Sequence, residues 1–224
     1  MSFDFPGIYR SHRERMSVLV VGLDSEALAT PVPATPLWTV LDVFAHVTGV
    51  ASDYSIGRIE GAPLEPWTQR QVEERRGRTP AEIEQEWLEL GPTIDAVLTV
   101  SGPAMSAMVM DVVMHHCDVM GTLGIRVSAG DEGLRLCLRA ANAITARIDT
   151  AGLPALRIQT AGLDRVFGSG DEGISVRGDP YEIARALFGR RSLGQIAAFN
   201  WSGDPTPYLP LFSFFTPPDT PLVE

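Results

Sequence analysis

Lysine is absent from this chain, and all 18 basic side chains other than histidine are arginine. That excludes a lysine Schiff base and a Walker-type phosphate loop, both of which need the ε-amine. Cysteine is nearly absent: two residues, Cys117 and Cys137, are too few for a disulfide framework or a thiolate zinc site. Buried, reduced thiols are expected instead. Positive charge is scarce as well, with a net charge of −10 and a pI near 4.9. Nucleic acid and anionic membrane both call for basic footprints, so neither is the expected partner. The first residues, MSFDFPGIYRSHRERM, lack the charged-then-apolar order of a signal peptide. No apolar run approaches the ~20 residues of a membrane span. A cytoplasmic chain without a membrane partner is the expectation.

What is present is enough for a proper core, since 45% of the 224 residues are hydrophobic. The first two-thirds read as helices. Residues 8–23 form an amphipathic stretch whose charged cluster HRER faces away from Met16, Val18, Leu19 and Val20. A second helix starts near Thr39, where Asp42 three residues on gives a looser capping box. Leu41, Phe44, Ala45, Val47 and Val50 supply its apolar stripe. Residues 56–78 are polar and punctuated, as in a long connection. Thr79, Pro80 and Glu82 open a third helix through Ile83, Trp87, Leu90, Ile94 and Val97, with Pro92 marking a kink or break. A fourth spans about 104–123, ended by Gly124, and a fifth spans 133–149. From Ala151 the texture changes to short alternating stretches between glycines, LRIQTAG, LDRVFGSG and GISVRGD, which read as strands and hairpins. YEIARALFGRRS and LGQIAAFNW return to helix, and a tail rich in proline and aromatics follows as an extended arm. The expected fold is mainly α with a smaller α/β part: a helical bundle over 1–150, then a small α/β domain over 151–224.

The stretch MDVVMHHCDVM, residues 110–120, holds two of the chain's four histidines inside what otherwise reads as buried helix. Burying polar groups without partners costs roughly 1–3 kcal/mol each, so these residues have partners or line something. Positions four and seven apart share a helix face, so Asp111, His115 and Asp118 point one way. His116 lies about 100° round from His115, and Cys117 further still. The second helix repeats the arrangement with Asp42, His46 and Asp53. Two such stripes facing each other could build a metal site, as bundle cores do. They could equally be polar pairs that satisfy each other, with Asp42 acting as cap and Asp53 in solvent near the helix end.

Two other segments draw attention. FGSGDEG satisfies GxGxxG through Gly168, Gly170 and Gly173, but it opens no helix, and Asp171 and Glu172 would repel a pyrophosphate. A hairpin turn is expected there. In FGRRSLGQ, Arg190 and Arg191 follow a helix that ends near Gly189, and Ser192 can cap the next. Arginine at such a junction suits a carboxylate or phosphate clamp, or a solvated charge pair.

The order of ATPLWTVLDVFAHVTGV, DVVMHHCDVMGTLG and GDPYEIARALFGRRSLGQIAAFNWSGDPTPYL resembles the mycothiol-dependent maleylpyruvate isomerase family. That family lies within the DinB-like superfamily of metal-binding four-helix bundles, and the resemblance covers nearly the whole chain. It implies a DinB-like bundle followed by a small C-terminal α/β domain. It also implies a metal, usually zinc, held by His46, Asp111 and His115, with water or thiol in the open position and His116 and Asp118 orienting neighbours. The family usually has glutamate where Asp111 stands, and aspartate is one methylene shorter. An arginine of the C-terminal domain takes part in activity, and Arg190 or Arg191 falls in the matching region. The implied function is a zinc-dependent isomerase or thiol S-transferase. It would use mycothiol, a low-molecular-weight thiol, on a small electrophilic, carboxylate-bearing substrate, as a monomer or homodimer. A metal-free or inert binding module of the same fold is the alternative, and metal content discriminates the two. A purely structural helical protein would instead keep His46 and His115 apart.

Overall fold

The structure, a computed structural model, describes residues 3–224. It divides into two compact units, residues 1–126 with Glu224, and residues 127–223.

The first unit is a four-helix bundle of α1 (Phe5–Val21), α3 (Val40–Ile56), α5 (Pro80–Ser101) and α6 (Ser106–Thr122). Between them lie a single turn α2 (Ser25–Leu28), a ribbon of β1 (Pro31–Val32) and β2 (Thr35–Thr39), and a short helix α4 (Glu65–Glu73). The helix starts follow from side-chain chemistry. Thr39 and Asp42 form a reciprocal capping box at α3, and Thr79 and Glu82 form another at α5, where Pro80 takes the first helical position. Gly57, with φ of 71°, ends α3 in the left-handed conformation that glycine adopts without steric cost. Pro92 does not break α5, which runs through it to Ser101 with the proline on the exposed side. The core is built from Met16, Val20, Val43, Phe44, Val47, Ile83, Ile94, Leu98, Val109 and Val113. Trp87 sits edge-on to Phe44 and Tyr9 and donates its Nε1 hydrogen to Tyr9 Oη at 2.8 Å.

Several expectations change. The HRER cluster does not all face outward: His12 and Arg13 are buried on the core stripe with Tyr9, Met16 and Val20, while Val18 is 77% exposed. Gly91 makes room for Arg13, because a Cβ there would come within 2.4 Å of Arg13 Nη1. The connection 56–78 contains α4, which buries Trp67, Gln71 and Val72. An 18-residue window within Pro80–Thr122 does reach a mean hydropathy of 1.6, but that stretch is α5 and α6 separated by a 3-10 turn at Gly102–Met105.

The second unit holds a four-stranded sheet in the order β4 (Leu163–Phe167), β3 (Ala155–Thr160), β5 (Glu172–Arg177), β6 (Asn200–Trp201). β3 pairs antiparallel with β4 and parallel with β5, and β5 pairs antiparallel with β6. FGSGDEG therefore joins two strands that flank β3, so it is not the expected hairpin turn. Gly168 has φ of 112°, and a Cβ there would lie 3.0 Å from Ala155 Cα and Ile148 Cγ2. Its glycine serves a close approach of chain to chain. Around the sheet lie α7 (Glu132–Arg139), α8 (Ile144–Thr150), α9 (Pro180–Leu187), α10 (Leu193–Ala197) and α11 (Leu209–Phe212). The expected boundary at 150 moves to 126. The segment read as a bundle helix is broken by a 3-10 turn at Ala140–Ala143, and α7 packs on α9 while α8 packs on β3 and β4.

Candidate metal centre

Three side chains from two helices converge in the bundle. His46 comes from the middle of α3, and Asp111 and His115 from successive turns of α6. One ligand atom from each lies within 4.8 Å of the other two. His46 Nε2 is 3.8 Å from Asp111 Oδ2, and His115 Nε2 is 3.6 Å from Asp111 Oδ1. The two imidazole rings stand 4.9 Å apart and nearly perpendicular, at 82°. In a tetrahedral site with bonds near 2.0–2.1 Å, donor atoms are about 3.3 Å apart, so small rotations suffice to close on an ion. The donor set is nitrogen and oxygen only, which suits zinc and other divalent first-row metals. Both imidazoles are buried, whereas the Asp111 side chain is 33% exposed. The cluster is thus closed by protein on the histidine sides and open beside the carboxylate.

The surroundings set protonation and direction. His115 Nδ1 lies 2.9 Å from Oδ2 of the fully buried Asp118. That contact is an ion-pair distance without hydrogen-bond geometry, and on the other side of the ring His115 Nε2 faces Asp111. Burial holds His46 below the ordinary imidazole range, opposed by the neighbouring Asp111 carboxylate. The Trp38 indole lies over the pair, 4.7 Å from the His46 ring and 6.3 Å from the His115 ring. Beside it opens a cavity of about 180 Å³ walled by Trp38, Leu37, Glu65 and Gln69. Burial raises the Tyr54 phenol, with Asp111 adding to the effect, so Tyr54 stays a neutral hydroxyl near the carboxylate.

The other singled-out residues are placed as follows. Asp42 is the α3 cap and no part of the cluster. Asp53 is not in solvent: its carboxylate is fully buried and accepts from Arg58 Nε at 2.6 Å, Arg70 Nη2 at 2.7 Å and Gln71 Nε2 at 2.8 Å. His116 turns to the other side of α6, where its Nδ1 meets His12 Nδ1 at 2.9 Å. A cavity of about 500 Å³ on that side, lined by Arg15, Val18, His116 and Met120 among others, contains none of the three cluster residues. Both cysteines are buried thiols. In the second unit Arg191 is buried and makes a two-pronged contact with Glu182, at 2.5 and 3.1 Å. Arg190 is half-buried, and its Nη1 donates to the Phe188 carbonyl at 2.7 Å. Reading along the chain missed Trp38, Tyr54 and Gln71. Tyr54 was findable, since it lies two i+4 steps beyond His46 on the same helix face.

Residues 9–120 match the family model for the mycothiol maleylpyruvate isomerase N-terminal domain, a match that spans α3 and α6 and all three cluster residues. The chain belongs to that family. Among curated proteins none matches the sequence. Two solved structures share the fold across both units. The crystal structure of the mycothiol-dependent maleylpyruvate isomerase aligns with a TM-score of 0.60 at 13% identity, over 89% of this chain and 92% of that one. A His-to-Ala mutant of a mycothiol-dependent maleylpyruvate isomerase aligns at 0.58 with the same identity and coverage. At that identity the likeness carries the architecture, a helical bundle followed by a small α/β part, and nothing about substrate.

Proposed function

We propose that this chain is a cytoplasmic, metal-dependent enzyme that uses mycothiol to isomerise, or to transfer the thiol to, a small electrophilic carboxylate such as maleylpyruvate. The observation that carries it is the cluster of His46, Asp111 and His115, closed on its imidazole sides and open at the carboxylate. Three protein ligands with one open position are the mark of a catalytic metal site, whereas structural sites are closed. The membership of the family supplies the thiol and the reaction class.

Zinc, the metal we assign, would lower the pKa of a thiol in its open position and so make the nucleophilic thiolate available at neutral pH. The chain's own residues do the rest. Asp118 places a carboxylate beside His115, and burial favours the uncharged form of His46, whose lone pair stays available. Trp38 covers the imidazoles and limits water on that side. Arg190 is the arginine we assign to the substrate carboxylate, because it directly follows Gly189, whose φ of 74° turns the chain there. A guanidinium holds a carboxylate through two parallel charge-assisted hydrogen bonds. In the isomerase reading the thiolate adds to the conjugated double bond, the resulting single bond rotates, and elimination of the thiol restores the double bond in the other geometry. In the transferase reading the enolate formed by addition takes a proton from solvent at its α-carbon, and the neutral thioether adduct is released.

The non-catalytic module of the same fold remains the rival, separated by metal content and turnover. Elemental analysis of purified protein is expected to give about one zinc per chain, and maleylpyruvate is expected to isomerise only when mycothiol is added. Protein without stoichiometric metal and without thiol-dependent turnover of any electrophile would favour the rival.

A further inference from the structure

His46 Nε2 faces Asp111, so its direction depends on what its other ring nitrogen meets. Along α3, His46, Gly49 and Asp53 are spaced three and four residues apart and form one stripe. Gln71 of α4 lies across that stripe, completely buried. A Cβ at Gly49 would come within 2.4 Å of Gln71 Cβ and 2.7 Å of Gln71 Cγ, so the absence of a side chain there is what admits the glutamine. At one end of the amide, Gln71 Nε2 donates to Asp53 Oδ2 at 2.8 Å. Asp53 is a carboxylate that also faces Arg58 and Arg70, so it can only accept. The amide group that faces it must be the NH₂, which leaves the amide oxygen to meet a donor elsewhere along the stripe that His46 shares. Gln71 Oε1 and His46 Nδ1 are both buried, and neither makes a hydrogen bond in the structure. They are a complementary acceptor and donor.

We propose that Gln71 is the positioning residue of His46: its amide oxygen accepts the Nδ1 proton, which holds Nε2 toward the metal, and the Asp53–Arg58–Arg70 clamp fixes which end of the amide does so. The inference rests on the metal-site reading of His46. His115 instead has a carboxylate beside its Nδ1, with Asp118 Oδ2 at 2.9 Å, so the two imidazoles have neighbours of different charge. An amide orients its histidine without adding a negative charge beside it.

The test combines zinc affinity, by competition with a chelator, and nitrogen-15 imidazole spectra of wild type, Gln71→Met and Gly49→Ala. Methionine keeps the volume and removes both hydrogen bonds. Alanine at Gly49 removes no polar group but displaces the glutamine, which keeps the idea open to refutation should Gln71→Met fail to fold. The His12–His116 pair on the other side of α6 gives an internal reference for an intact bundle. Both variants are expected to bind zinc at least tenfold more weakly, in the range of outer-shell losses. Their His46 Nδ1 proton should exchange faster, with the reference signals unmoved. Unchanged zinc affinity and an unchanged His46 signal in either folded variant would overturn the proposal. If wild type itself binds no zinc, the metal reading fails separately. The metal-free spectra then decide the hydrogen bond, and identical His46 signals in wild type and variants would refute it.

Discussion

Asp111 is the candidate ligand whose reach the sequence left open, because its side chain is one methylene shorter than glutamate's. Its two oxygens come within 3.8 and 3.6 Å of His46 and His115, so the short side chain already bridges both. Asp111→Ala is therefore expected to weaken zinc binding more than tenfold, whereas Asp111→Glu should bring no gain; a chelator titration of the three proteins decides this. Burial keeps His46 below the ordinary imidazole range, and the unfolded value is about 6.5. Below that value the unfolded chain takes up a proton that the fold refuses, so metal-free stability is full above about pH 6.5 and declines as pH falls. Denaturant midpoints of metal-free protein should be lower at pH 5.5 than at 7.5, and His46→Gln should shrink the difference. The two neighbouring arginines should separate cleanly. Arg190→Met is expected to keep its zinc and raise KM for a carboxylate substrate at least tenfold, about 1.4 kcal/mol of lost binding. Arg191→Met removes a two-pronged contact to Glu182 made by a buried guanidinium and should lower Tm. Equal KM values for wild type and Arg190→Met would remove the carboxylate role.

At the level of elements, the helix starts were the most legible part of the chain. Thr79 accepts from the Glu82 amide while Glu82 accepts from the Thr79 amide. Thr79→Ala should cost about 1 kcal/mol with no change in zinc affinity, measured by urea denaturation and the same chelator assay. The period of 3.6 placed His46 and Asp111–His115 on inward stripes, because a histidine among Val and Phe neighbours has few other directions to face. It failed at His12 and Arg13, where polarity was taken for exposure. Their burial depends on His116 and Gly91, partners far along the chain that no local pattern reveals. Asp53 was misread for the same reason. Its clamp is supplied by Arg58, Arg70 and Gln71, two of them on the helix α4 that was read as a connection. The signs of α4 were Pro66 at its start and the 67, 71, 72 spacing of its buried residues, set in a run too polar and too short to stand out.

For the whole molecule, the bundle core of Phe44, Trp87, Ile94 and Val113 is apolar and independent of the three candidate ligands. Removing metal is thus expected to leave the chain folded, unlike a zinc finger, and to lower Tm. Zinc at a hundred times its Kd should restore about 2.7 kcal/mol; a thermal melt that ignores added zinc would contradict a bound ion. The stacking of Trp38 on the cluster has a consequence in light rather than in free energy. All four tryptophans donate their indole hydrogens, Trp67, Trp87 and Trp201 to Arg58, Tyr9 and Ile196 and Trp38 to Gln69, but of these Trp38 lies against His46 and His115. Cobalt or copper ions quench excited indoles at short range, so filling the cluster should darken one emitter in four. The unlabelled protein would then announce its own occupancy by its glow.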